Sequence, residues 1–243
     1  PQSLLRPALL LTTVAVLVTG CSMPELAYRN ADWLIPRYAD DYVELTAARK
    51  AHWKPILEGE LARHRHQELP LIVGFLRRAD RAAADGLSAG ETACLGDGLM
   101  TIYQRNARTA ARIAAPLLAS LTPEELPELR EAFRKHNADY RDEYLDGSSD
   151  SRLDQRVDRF VDQVERWTGW LREDQKALVR SHVARWPDLA PDWHAYRHEQ
   201  QQRLLRLLAG QPDPARVESF LADWWGHMGN AYPSLRDQRR RLV

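Results

Sequence analysis

Leu153-Asp-Gln-Arg-Val157-Asp-Arg-Phe160-Val161-Asp-Gln-Val164-Glu-Arg-Trp167 is the stretch that decides the fold class. Its apolar residues return at the i, i+3, i+4, i+7 spacing of one helix face, and charges fill the other face. The same period extends in both directions. Toward the C-terminus it runs through Leu178, Val179, Val183 and Trp186, then Trp193, Leu204, Leu207 and Leu208, then Val217, Phe220, Leu221, Trp224 and Trp225. Toward the N-terminus it runs through Leu126, Leu129, Phe133, Tyr140 and Tyr144, and before them a long stripe from Leu95 to Leu118. Two further stretches, Trp53 to Leu61 and Leu69 to Ala79, read the same way. Nowhere does period-two alternation persist. The pattern predicts an all-α protein: a single bundle of about eight helices, mostly antiparallel because their links are short.

Helix-start signals divide the stripes. Thr122-Pro123-Glu124-Glu125 is a capping box with proline at the first helical position, and Leu121 and Leu126 can staple it. Asp213-Pro214 is a second N-cap with proline after it, and Ser88 to Glu91 is a weaker box. Leu45-Thr46-x-x-Arg49, Leu87-Ser88-x-x-Glu91, Leu121-Thr122-x-x-Glu125 and Leu171-Arg172-x-x-Gln175 repeat one helix-opening device at uneven intervals. A leucine staple plus an N-cap is a common way to start a helix, so these copies do not require a solenoid. Pro55 and Pro70 are expected to kink or divide their region, and Pro116 to bend the long stripe.

Composition narrows the functional classes. Among 243 residues, 34 Lys and Arg balance 34 Asp and Glu, so blanket attraction to nucleic acid is not expected. Hydrophobic residues at 44% and charged residues at 28% suffice for a packed core. With only two cysteines the chain is not a disulfide scaffold. Arginine outnumbers lysine 30 to 4; interleaved with acids on helix faces, it is expected mainly in surface ion pairs.

The N-terminus carries an address. Ala8 to Val18 is an apolar run too short to span a bilayer but right for a signal-peptide core. It ends in Val18-Thr19-Gly20-Cys21, which resembles the lipobox of bacterial lipoproteins. The resemblance implies cleavage after residue 20, lipidation of Cys21 with palmitate-type acyl chains, and a helical periplasmic domain over 21–243. Several acyl chains are enough for stable anchoring. Ser22, where aspartate would imply retention at the inner membrane, points to the outer membrane with the body facing the periplasm. Cys94 would then be the one remaining cysteine, and its neighbours Ala93 and Leu95 suggest a buried thiol.

Two further resemblances follow. Ala27-Tyr28-Arg29-Asn30-Ala31-Asp32-Trp33-Leu34, with Arg37-Tyr38 and Asp40-Asp41-Tyr42 after it, is similar to the opening of an uncharacterised family of bacterial lipoproteins that carries Tyr-x-x-Ala-Asp-Trp-Leu behind the lipidated cysteine. Asn137-x-x-Tyr140-Arg141-x-Glu143-Tyr144 fits the same pattern; Pro36 and Cys94 depart from it. This likeness implies an address and a fold but no activity. More loosely, Leu-Thr-x-x-Gln-like helix starts resemble the helical periplasmic stress proteins typified by Spy and CpxP, which chaperone unfolded envelope proteins. No copy here is complete.

The candidate site residues are therefore Asp32, Trp33, Arg37, Asp40, Asp41, Asn137, Tyr140, Arg141 and Glu143, besides Cys21 for lipidation. Paired carboxylates can do acid–base work or hold a hard cation. Arg37 and Asp41 stand at i, i+4, so a salt bridge is the natural expectation. Tyr28, Trp33, Tyr38 and Tyr42 make the segment strongly aromatic. It can lie at the membrane interface or pack on the bundle as a lid. His194 and His198 share a helix face without a third ligand or an HExxH pattern, and His64 and His66 point apart. No nucleophile elbow or phosphate loop is present, and no metal or cofactor is expected. The reading is a membrane-anchored module that binds an envelope protein or unfolded client. The alternatives are a cell-envelope enzyme with a carboxylate site, which requires the first helix to pack on the helix of Asn137, and a purely structural envelope lipoprotein.

Overall fold

The computed structural model describes residues 26, 28–84 and 86–227, with the backbone alone at Trp167 and Thr168. The signal segment, Cys21, Ala27 and the arginine-rich tail from Arg236 to Arg241 lie outside these residues. Among the described residues nine α-helices follow one another: α1 (Ala31–Asp40), α2 (Ala47–Gln67), α3 (Leu69–Ala84), α4 (Ala89–Ala119), α5 (Leu126–Tyr144), α6 (Ser149–Thr168), α7 (Glu173–Val183), α8 (Ala190–Ala209) and α9 (Pro214–Gly226). A 3-10 turn at Pro123–Glu125 precedes α5, and no strand occurs among the described residues. Glu68 alone separates α2 from α3, so the two count nearly as one rod. The all-α bundle expected from periodicity is the fold observed.

The proline expectations divide. Pro55 and Pro116 lie inside continuous helices. The division falls instead at Glu68, and Pro70 sits in the first turn of α3, where no intrahelical N–H is needed. All four repeated helix starts do open helices. Thr46 Oγ1 accepts from Arg49 N–H at 3.3 Å, and Ser88 and Glu91 form a full capping box. The Thr122 N–H donates to Glu125 at 2.8 Å, and the Arg172 N–H donates to Gln175 at 2.9 Å. Two copies also meet in space: Arg49 Nη2 donates to both carboxylate oxygens of Glu125 at 2.8 Å.

Helix α4 is the axis. Its 31 residues span about 46 Å at ~1.5 Å per residue, and it runs antiparallel to the α2–α3 rod after a turn at Gly86, whose φ of +85° suits glycine. Its N-terminal half lies along α3, where the absence of a side chain at Gly98 lets the Phe75 ring come within 3.0 Å of the space a Cβ would fill. Its C-terminal half is tied to α2. The Trp53 indole donates to the Ile113 carbonyl at 2.7 Å, Glu60 pairs with Arg112 at 2.8 Å, and Glu68 pairs with Arg105 at 2.6 Å. His64 bridges the Tyr28 hydroxyl at 2.9 Å and Asn106 at 2.7 Å.

On its other side α4 packs against α9 more extensively than any other helix pair does. The reason is a small-residue face: Ala107, Ala111 and Ala115 recur every fourth residue and are all buried, against Val217 and Leu221 of α9, both fully inaccessible. The main core adds Leu57 and Leu61 of α2, Leu129 and Phe133 of α5, and Leu204, Leu205 and Leu208 of α8. Helices α6 and α7 carry a second, smaller cluster of Val157, Val161 and Val183, flanked by Leu153, Leu171, Val179 and Trp186.

Some stripe residues remain outside the cores. Leu178 and Leu99 are exposed, and so are Leu71, Val73, Leu76 and Leu87 of the α3–α4 hairpin. Cys94 is exposed as well, against the expectation of a buried thiol. Among the described residues α3 is the helix that packs along this end of α4, which leaves its other faces uncovered by them.

Replacing Ala111 by leucine should lower unfolding stability by about 1–3 kcal/mol through overpacking between α4 and α9, whereas Ala51→Leu on the exposed face of α2 should leave it nearly unchanged. Urea unfolding followed by circular dichroism measures both; an unaffected midpoint in Ala111→Leu would contradict the close packing.

Candidate functional site

An apolar cleft of about 400 Å³ lies between α1 and the helices behind it. Ile113, Leu117 and Leu118 of α4 and Leu221, Trp224 and Trp225 of α9 form its floor, and Ile35, Tyr38, Ala39 and Tyr42 form its cover. The cover is shallow: α1 has no buried residue. Ile35, Ala39 and Tyr42 face inward at helical spacing and pack on the core, whereas Trp33 at 61% and Tyr38 at 64% exposure face out. The aromatic segment thus divides between packing and solvent.

The polar groups of the cleft gather at one end. Gln201 and Arg197 stand one turn apart on α8. Gln201 Oε1 accepts from Asn137 Nδ2 at 2.7 Å in a buried pair that joins α8 to α5. Arg197 Nη2 donates to the His136 carbonyl at 3.3 Å, and its guanidinium lies 4.5 Å from the centroid of the Tyr140 ring. The Tyr42 ring stacks on His136 at 4.5 Å, and the Tyr38 and Tyr42 hydroxyls are 3.2 Å apart. Burial pushes the Tyr42 hydroxyl well above the ordinary tyrosine range, and burial also raises Tyr140. His194, stacked on Tyr140, is held below the ordinary imidazole value first by burial and then by the neighbouring charges of Arg197 and Arg141.

The residues picked out from sequence are distributed unevenly around this cleft. Asn137 is buried and paired with Gln201, and Tyr140 lies half-buried under Arg197. Arg141 and Glu143 are exposed on the outer side of α5. Asp32, Asp40 and Asp41 are all exposed. Asp40 accepts from the Leu45 N–H at 2.9 Å and shapes the turn into α2. Asp32 lies in the first turn of α1 behind Asn30 at the N-cap, where the helix dipole favours it.

The expected Arg37–Asp41 salt bridge is not among the ion pairs of the described residues. Arg37 points back toward the helix N-terminus, as helical side chains do, with its guanidinium 5.8 Å from the centroid of the Trp33 ring, while Asp41 is the C-cap where the chain leaves the helix. The end of α1 does reach α5, but it does so through Tyr42 against Phe133 and His136, not through carboxylates. No group of three or more His, Cys, Asp or Glu able to hold a metal occurs among the described residues.

Sequence reading missed Arg197 and Gln201. The signal was present. Residues 197, 201, 204 and 208 form one helix face, and Leu204 and Leu208 mark it as the buried one. A cation and an amide on that face call for explanation.

Fold and site together define an all-α protein with an apolar cleft, polar at one end, in place of an acid–base cluster. The chain belongs to DUF6279, a family of unknown function, whose model matches residues 41–226. No curated protein and no solved structure matches it. Membership agrees with the resemblance to an uncharacterised family. The match begins beyond the Tyr28 to Leu34 motif, and the likeness to Spy and CpxP gains no support from these comparisons. No helix among the described residues is long and apolar enough to cross a membrane.

Two outcomes follow for the polar end of the cleft. Asn137→Leu strands the buried Gln201 amide and should cost about 1–3 kcal/mol, and adding Gln201→Met should recover most of that loss; non-recovery in urea unfolding would show that the pair is not the coupled unit. For His194, the unfolded chain takes up a proton near the ordinary value of 6.5 while the folded chain resists it. Its contribution is therefore intact above that pH and is lost as pH falls from there toward the folded-state value. The urea midpoint should drop across this window, and His194→Gln should flatten the slope.

Proposed function

We propose that this protein is a membrane-anchored binding module of the cell envelope, not an enzyme, and that it holds an apolar part of its partner in the cleft beneath α1. The observation that carries this reading is the cleft itself: a preformed, nearly wholly apolar space of about 400 Å³ under a helix that buries none of its own residues. Small-ligand pockets typically occupy roughly 300–1,000 Å³ and are apolar with a few placed polar groups. A cover held by partly buried residues such as Ala31, Ile35, Ala39 and Tyr42 can lift without unfolding the bundle.

The lipobox-like Val18-Thr19-Gly20-Cys21 supports an anchor a few residues before α1, at the outer membrane with the body in the periplasm. The cover would then be the part of the fold nearest the lipid surface, with Trp33 and Tyr38 exposed on its outer side. A protein partner, whether an envelope component or an unfolded client, is supported by a second feature. Leu71, Val73, Leu76, Leu87 and Leu99 are all exposed along the α3–α4 hairpin and offer apolar area to a partner.

The anchor is tested by Cys21→Ser, which should move the protein from the membrane pellet to the soluble periplasmic fraction and abolish palmitate incorporation; retention in the pellet would refute it. Photo-crosslinkers at Leu76 and Leu99 in intact cells should capture envelope proteins that a crosslinker at Arg134, on the far surface of α5, does not. Equal labelling from the three positions would remove the hairpin as the partner surface.

A further inference from the structure

Arg197 has no carboxylate in contact among the described residues. Arg49, Arg105, Arg112, Arg152 and Arg156 each have a carboxylate oxygen within 3.6 Å. The half-buried Arg197 meets instead the His136 carbonyl and the face of Tyr140, and its Nε is buried without a hydrogen-bond partner. An arginine does not shed its proton in such a setting, so this cation is open to an anionic group brought by a ligand. The His194 Nε2 beside it is also buried without a partner, and Arg141 adds to the positive field there.

Arg197 lines the cleft, and beyond the polar end the walls are aliphatic and indole carbon. This combination, one unmet positive charge at the end of an apolar slot, is complementary to a molecule with one negative charge at the end of an apolar chain. The size suits a small occupant. A cleft of about 400 Å³ lies in the lower part of the roughly 300–1,000 Å³ range of small-ligand sites, which fits one medium acyl chain.

We propose that the cleft binds a single-chain anionic amphiphile, with its head group on the Arg197 guanidinium and its chain among Leu117, Leu118, Leu221 and Trp225. This rests on the reading of the cleft as a binding site and adds the chemical class of the occupant. A fatty-acid carboxylate and the phosphate of a single-chain phospholipid share this chemistry. The Tyr42 hydroxyl, in the electrostatic field of Arg197 and on a residue that lines the same cleft, offers a further hydrogen bond to either head.

The test uses the full chain carrying Cys21→Ser, so that no acyl group of its own can enter the cleft. Dodecanoate, dodecyl phosphate and dodecanol are titrated calorimetrically below their aggregation limits, and a terminally brominated dodecanoate reports location by quenching tryptophan, since Trp53, Trp224 and Trp225 line the cleft. At least one anionic ligand should bind one per chain, at least about tenfold more tightly than the alcohol, as expected for a charge-assisted contact. The tighter of the two anions identifies the head group. Arg197→Gln should bring the anions to the level of dodecanol and leave dodecanol unchanged. Should that variant fold poorly, the ratio of anion to alcohol in the parent chain decides by itself. Filling the cleft with Ala114→Leu should weaken all three ligands. Equal binding of acid, phosphate and alcohol would overturn the assignment of the anionic head while leaving the cleft as an apolar site. Absence of binding and of quenching by every ligand would overturn the cleft reading as well.

Discussion

The close approach of α4 and α9 is the constraint on which the rest of the structure depends. Alanines at 107, 111 and 115 give α4 a face with almost no side-chain relief, so the Val217 and Leu221 side chains of α9 seat directly against it. Dispersion and the exclusion of water reward that contact, and it fixes the position of a helix that comes last in the described chain. The neighbouring helices then take positions relative to this pair. Helix α2 is tied to the opposite side of α4 by an indole-to-carbonyl bond and by two ion pairs whose carboxylates, Glu60 and Glu68, are themselves buried. Such pairs add register more than net stability, because removing charges from water offsets most of their attraction.

The cleft is a by-product of the same geometry. Where α4 is smooth, larger side chains must come from elsewhere to fill the space, and here α9, α5 and α8 supply them on three sides. The fourth side is left to α1, which is short, contains Pro36, and buries no residue. A core helix would contribute leucines at each inward position, whereas α1 contributes Ile35, Ala39 and the ring of Tyr42. The space beneath it therefore stays open, and Arg197 stays at its edge without a carboxylate. In a protein selected for stability alone, a leucine or methionine at that position would close the slot and remove an unmet charge.

The α6–α7 hairpin is organised differently. Its small valine cluster is flanked by Arg152 and Arg156 against Asp188 and by Arg180 against Asp154. It is joined to the main bundle largely by polar and aromatic contacts, including Arg159 over the Tyr144 ring. Such contacts yield more easily than a continuous apolar core.

The all-α class, the helix starts and the antiparallel links were legible in the sequence because they are local: a 3.6-residue period and an N-cap are properties of a few consecutive residues. Thr46, Ser88, Thr122 and Asp213 each open a helix as their spacing implied, and the Asn137–Tyr140 segment does lie beside the cleft. What could not be read was which faces meet. Cys94 and Leu178 sit in apolar surroundings along the chain yet are exposed, because no helix among the described residues covers them. Arg37 turned to Trp33 instead of Asp41, because the helix ends at that residue. Arg197, an ordinary member of an arginine-rich chain, became half-buried, with its Nε unpartnered among the described residues, only when α8 packed on α5. Sequence by itself determined the helices and where they begin, since backbone hydrogen bonding and capping act within one turn. Tertiary structure alone decided which side chains lose water and which charges lose partners, since burial depends on neighbours that are remote along the chain.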